Sequence, residues 1–130
     1  MADRIVFRPH EALRAMLELA FARWRLRRHR PRVSGLNRTV APLDDRQSTL
    51  VERIAFLIPR VAARVPWRAD CLVQALAAER WLMRAGIATR LTLGVPKDKR
   101  ANFEAHAWLT AGDRVVTGGD VSGYVPLVKP

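Results

Sequence analysis

The sequence predicts an α+β domain with N-terminal helices followed by a small antiparallel sheet, and three observations carry that prediction. Apolar residues recur at helical spacing in three segments, 10–30, 45–64 and 70–85. The period changes to two after Gly86. A Gly112-Asp113 turn signal then separates two runs rich in β-branched and aromatic residues. At 130 residues, 49% of them hydrophobic and 27% charged, the chain has the length and composition of one folded domain. Those values argue against disorder, low complexity and collagen-like repetition. We expect a single domain over 1–130.

In the first helix, expected over 10–30, Leu13, Met16, Leu17, Ala20, Phe21 and Trp24 stand at i, i+3, i+4, i+7, i+8 and i+11. They form one stripe at period 3.6. Pro9 suits the start. Arg23, Arg25, Arg27, Arg28 and Arg30 suit the negative end of the helix dipole, and Pro31 stops the helix. The stripe reads either as the packed face of a helix with a solvated basic end or as a docking surface for a partner. Residues 31–43 show no periodicity and read as a connector.

The second helix, over 45–64, takes a cap from Asp44 or Asp45 and an apolar face from Leu50, Ile54, Leu57, Ile58 and Val61. Pro59 lies inside that pattern, which predicts a kink or a break. A short turn over 65–69 leads to the third helix, from Asp70 or Cys71 to about Ala85. Its face is Leu72, Ala75, Leu76, Trp81 and Leu82, Asp70 is its cap, and Gly86 suits the left-handed position past its end. Cys71 therefore falls in the first turn of a helix. Residues 87–95 read as a strand and 97–102 as a basic loop. Residues 103–110 and 114–117 read as a hairpin that ends at Gly118-Gly119. The tail, 121–130, adds a short strand or lies over the surface.

The net charge is +11, from 23 Lys and Arg against 12 Asp and Glu, and 20 of the 23 are arginine. The first 40 residues hold +7 of it. Such a balance suits nucleic acid, an acidic protein or an anionic membrane alike, so charge by itself selects none of them. Arginine with almost no lysine also accompanies GC-rich coding. One cysteine excludes an intramolecular disulfide framework and a thiolate-rich zinc site, and no metal is expected. No apolar run reaches the length that spans a bilayer, and the N-terminal residues do not read as a signal peptide, so the expected compartment is the cytoplasm.

Among the three histidines, His10 and His29 read as surface residues, whereas His106 lies in a strand beside Trp108, 35 residues after Cys71. Alternation sets Glu104, His106, Trp108 and Thr110 on one face and Ala105, Ala107 and Leu109 on the other. A thiol in the first helical turn meets unpaired N–H groups and the positive end of the dipole, which favour a thiolate and can receive an oxyanion. A strand histidine can take the thiol proton and return it to a leaving amine. A carboxylate that orients the imidazole would complete the set. Asp120 is the best candidate: a two-residue hairpin places His106 opposite Gly119, and a bulge at Gly118-Gly119 would aim Asp120 at the ring. Glu104 is a minor alternative, and Asp113 reads as a turn residue. The competing reading is a buried structural cysteine and a structurally satisfied histidine.

Several stretches together resemble the transglutaminase-like cysteine peptidases of lasso-peptide biosynthesis. They are Cys71-Leu72-Val73-Gln74-Ala75-Leu76-Ala77, Leu82-Met83-Arg84-Ala85-Gly86-Ile87, Gly94-Val95, Ala105-His106-Ala107-Trp108-Leu109 and Val115-Val116-Thr117-Gly118-Gly119-Asp120. The resemblance covers about 50 residues closely. It implies a transglutaminase/papain-like core over 67–130, with 1–66 as a helical N-terminal part. The activity it implies is removal of a leader from a precursor peptide by hydrolysis of the leader–core amide, without metal or organic cofactor. Cys71 would be the nucleophile and His106 the general base and acid, with Trp108 beside His106 as shield or substrate contact. Many relatives carry the aspartate about twelve residues after the histidine, where this chain has Gly118, and its nearest acid is Asp120. The implied form is the stand-alone peptidase, whose partners are the precursor, a separate leader-recognition protein and the ATP-dependent lasso cyclase. Nucleic acid and membrane are not expected partners. Two rival readings are a non-enzymatic basic binding module and an acyl transferase built on the same Cys-His pair.

Overall fold

A computed structural model of the chain describes residues 8–28, 42–98 and 105–126. Three helices, α1 (Pro9–Arg28), α2 (Asp45–Ala62) and α3 (Cys71–Arg84), precede four strands. The strands are β1 (Arg90–Pro96), β2 (His106–Ala111), β3 (Arg114–Thr117) and β4 (Tyr124–Pro126). They form one antiparallel sheet in the order β3-β2-β1-β4. The fold is α+β, as the change of period at Gly86 predicts. The expected basic end at His29 and Arg30, the connector over 31–41, and Lys99, Arg100 and Glu104 lie outside the described residues, as does the tail beyond Pro126.

Helix ends follow local side-chain chemistry. At α2, Asp44 Oδ1 accepts from the Gln47 backbone N–H at 2.8 Å, and Gln47 Oε1 accepts from the Asp44 N–H at 3.1 Å. This reciprocal pair satisfies two otherwise orphaned donors. At α3, Asp70 accepts from the Val73 N–H at 3.1 Å, which makes Cys71 the first helical residue. Gly86, with φ of +77°, ends α3. The Gly86 N–H donates to the Met83 carbonyl and the Ile87 N–H to the Leu82 carbonyl, so the left-handed glycine closes the last turn. Of the kink or break expected at Pro59, the break does not occur: α2 runs through Pro59 as a single helix. Pro59 stands in the last turn of α2, on a half-buried side, so the hydrogen bond it removes is at the fraying end.

The three helices share a core with the sheet. Leu19, Ile54, Leu57, Ile58, Leu82 and Leu109 are fully buried in it, joined by Leu91, Ala107, Ala111 and Val116 from the strands. Burying such side chains contributes about 1.5–3 kcal/mol each. Alternation along β2 sends Ala107, Leu109 and Ala111 into this core and leaves His106, Trp108 and Thr110 on the other face.

The face of α1 that enters the core is not its largest apolar stripe. Ala15, Glu18, Leu19 and Ala22 are buried, while Leu13, Met16, Leu17, Ala20 and Trp24 face solvent. Two ion pairs fasten this orientation. Glu11 meets Arg53 of α2 at 3.0 Å, and the buried Glu18 meets Arg80 of α3 at 3.7 Å. The alanines let the α1 backbone come close to α3, whose own Ala75, Ala77 and Ala78 are buried. Among the described residues, no helix is long and apolar enough to cross a membrane.

Asp44→Ala removes both halves of the α2 cap. It is expected to lower stability by about 1 kcal/mol and to shift the thermal midpoint down by roughly 4 °C, with Asp44→Asn closer to the parent. Thermal unfolding followed by circular dichroism checks this, and an unchanged midpoint refutes it.

Candidate functional site

Cys71 owes its position to the cap before it. With Val73 N–H taken by Asp70 and Gln74 N–H bonded to the Asp70 carbonyl, the N–H groups of Cys71 and Leu72 stay outside the helical ladder. Cys71 falls in line with Ala75, Ala78 and Leu82, all buried, at intervals of four, three and four. It is therefore the outermost member of the buried stripe of α3, and it is half-buried. Gln74 anchors the turn before the helix, its Nε2 donating to the Ala69 carbonyl at 3.0 Å.

His106 opens β2, opposite Gly94 of β1, and Gly94 in turn lies opposite Pro126 of β4. The imidazole is half-buried. Its Nε2 lies 2.8 Å from the Gly118 carbonyl oxygen. A carbonyl only accepts, so Nε2 carries the proton and Nδ1 is left with the lone pair in the neutral ring. The ring of Tyr124 stacks on the imidazole with centroids 4.7 Å apart, and Trp108 stands 6.0 Å from it and 6.2 Å from Tyr124.

Two glycines make room for Trp108. A Cβ on Gly94 would come within 2.6 Å of the distal edge of the indole and 2.8 Å of the Val125 carbonyl. A Cβ on Gly118 would come within 2.4 Å of the Trp108 Cβ, and Gly118 also holds φ of +106°, a region that favours glycine. With no side chain at either place, the distal edge of the indole sits over Gly94 of β1.

The expected site residues are thus distributed as follows. Cys71 heads α3, which packs on β2, and His106 begins β2. Among the described residues no hydrogen bond joins the thiol to the imidazole. Asp120 is not the ring's partner: its carboxylate is exposed and accepts from the Ser122 N–H at 3.0 Å. That backbone N–H, and then the Ser122 hydroxyl, hold the Asp120 carboxyl below its ordinary range. The expected direct contact fails because the strand ends at Thr117 and two left-handed glycines turn the chain, presenting the Gly118 carbonyl to the ring. The irregularity in the hairpin also falls at Leu109/Thr110 and not at Gly118-Gly119.

Trp108 stands beside His106, as the shielding reading expects; at 6% exposed and packed between glycines, it offers little surface for the alternative role of substrate contact. Tyr124 was not foreseen as a site residue. The tail read as an optional strand, and only its pairing with β1 brings the single tyrosine onto His106.

Neither the curated proteins nor the solved structures compared with the chain match it. The family model for the transglutaminase-like superfamily (Transglut_core3) matches residues 13–129. A domain of this kind fits cysteine-peptidase or acyltransferase chemistry. With its cysteine-headed helix packed on an antiparallel sheet that carries His106, and with the match spanning nearly its whole length, the chain belongs to the transglutaminase-like superfamily.

Proposed function

We propose that this protein is a cysteine endopeptidase that releases the leader from a lasso-peptide precursor. The observation that carries the reading is the His106 Nε2–H bond to the Gly118 carbonyl, which keeps Nδ1 as the proton acceptor in a chain whose only cysteine begins a capped helix. The superfamily match and the resemblance of the 71–120 stretches to the lasso-peptide peptidases support it further.

In the proposed reaction the Cys71 thiol gives its proton to His106 Nδ1, and the sulfur attacks the carbonyl carbon at the leader–core junction. The carbonyl oxygen becomes an oxyanion, received by the N–H groups of Cys71 and Leu72 at the head of α3. Collapse breaks the C–N bond, and the imidazolium gives its proton to the leaving amine of the core. Water, deprotonated by His106, then cleaves the thioester and frees the leader carboxylate. His106 lies on the face of β2 away from the core that Cys71 packs against, so the reaction requires the peptide complex to bring thiol and imidazole within hydrogen-bond distance around the start of β2. Gly118 orients the ring, and Asp120 acts at one remove by fixing the turn that presents the Gly118 carbonyl. The partners are the precursor, a separate leader-recognition protein, and the cyclase that takes the freed core. An acyl transferase would follow the same path as far as the thioester, which an amine would then intercept.

Precursor and recognition protein incubated with this chain are expected to yield free leader and free core by mass spectrometry. Cys71→Ala and His106→Ala are each expected to cut the rate by about 10³-fold or more. A linked product would identify the transferase, and turnover that survives Cys71→Ala would end the thiol mechanism.

A second comparison separates the two candidate orienting groups. Asp120→Ala leaves the Gly118 carbonyl in the chain and is expected to cost roughly tenfold or less. Gly118→Ala drives a methyl into Trp108 and strains the turn, costing about 1–3 kcal/mol of stability and most of the activity. Thermal melts beside rate measurements test this. An Asp120→Ala loss equal to that of His106→Ala would restore the carboxylate as the orienting group.

A further inference from the structure

The large apolar stripe of α1 is bare. Leu13 is 55% exposed, Met16 40%, Leu17 60% and Trp24 51%, with Phe21 half-buried among them. A contiguous apolar face of this kind on a folded domain marks a contact site. The charge around it has one sign. Arg25, Arg27 and Arg28 are exposed, and Arg14 at the border pairs with Glu18 at 3.9 Å and lies over Trp81, while Glu11 and Glu18, the only carboxylates of α1, turn inward onto Arg53 and Arg80. The guanidinium groups also lie over the rings of the stripe itself. Arg28 is 5.5 Å from the Trp24 centroid, and Arg25 and Arg80 are 5.9 Å and 3.7 Å from that of Phe21.

We infer that this stripe docks an acidic protein, through a surface on which carboxylates alternate with apolar side chains. Such a partner covers the leucines and the methionine while pairing the guanidiniums in place, and Trp with Arg is the combination that dominates interface energetics. A bilayer would have to take into its acyl region the cations that lie on Phe21 and Trp24, at a large desolvation cost. A second copy would set arginine against arginine, because α1 has no outward carboxylate to answer them. The inference concerns α1 alone and stands whether or not the chain is a peptidase.

The test uses the full chain and a fluorescent amphipathic helical peptide whose leucine stripe is bordered by glutamates. The peptide is expected to bind, more weakly as salt rises. Binding is expected to fall by roughly tenfold or more in Leu17→Ser/Trp24→Ser, in Arg25→Glu/Arg28→Glu, and with glutamine in place of the peptide's glutamates. Circular dichroism verifies that the variants fold. The Trp24 indole resonance, identified with Trp24→Phe, is expected to move on peptide addition and to be open to a soluble paramagnetic agent beforehand. The inference is overturned by absent binding, by equal binding of the glutamate and glutamine peptides, or by variants that bind as the parent does. Preferential uptake by phosphatidylglycerol vesicles would assign the stripe to a membrane, and self-association in sedimentation would assign it to a second copy. A Trp24 indole already shielded in the free protein would assign it to the chain's own residues.

Discussion

Trp108 lies where two side chains are missing, and the arrangement around His106 depends on that vacancy. The indole spreads over Gly94 and is pressed at its Cβ by Gly118, so the ring fills a space that any other residue at either position would claim. Its placement decides where Tyr124 rests on the imidazole and how near the 117–119 turn comes to β2. Aromatic side chains bring a large apolar surface with few rotatable bonds, which suits one that must hold three others in place. The site is in this sense a packing arrangement first and a hydrogen-bonding arrangement second.

The helix ends were legible in the sequence because they are decided locally. Asp44 with Gln47, Asp70 with Val73, and Gly86 past Arg84 each act within a few residues of their own position. The orientation of α1 was not, because the helix offers two stripes and periodicity favours the larger one. The smaller stripe is buried because alanines permit close contact with α3 and because Glu11 and Glu18 have cations waiting on α2 and α3. Arg53 and Arg80 lie far along the chain, so the local pairs Arg8–Glu11 and Arg14–Glu18 do not reveal which way the helix turns. The placement of Cys71 at a helix start and of His106 in a strand was legible by local pattern, whereas how the two side chains lie relative to each other depends on which face of β2 meets α3. The oxygen that holds His106 was not legible, since a backbone carbonyl leaves no mark in a sequence and its direction depends on two dihedral angles at glycine.

The arginine excess divides between fold and surface. Arg53 and Arg80 are absorbed by carboxylates, Arg114 meets Glu52 at 2.9 Å, and Arg60 lies on Phe56 and donates to its carbonyl. Exposed pairs such as Arg114–Glu52 contribute little individually, within about 1 kcal/mol. The half-buried pairs on α1 do more to choose an orientation than to raise stability, because rotating the helix would part Glu11 from Arg53 and Glu18 from Arg80, leaving Glu18 only its neighbour Arg14. A net charge read from composition therefore overstates the cations free to meet other molecules.

The carbonyl on His106 has an evolutionary consequence. A carboxylate partner can be gained, lost or tuned by one codon change at its own position, and the ring would register each step. A main-chain oxygen has no codon of its own. Only a change in the path of the polypeptide alters it, and that path is locked by a glycine that cannot acquire a side chain without displacing an indole. Drift at this site is thus expected to be coupled: Gly94, Trp108 and Gly118 vary together or not at all, while Asp120 is left comparatively free to wander.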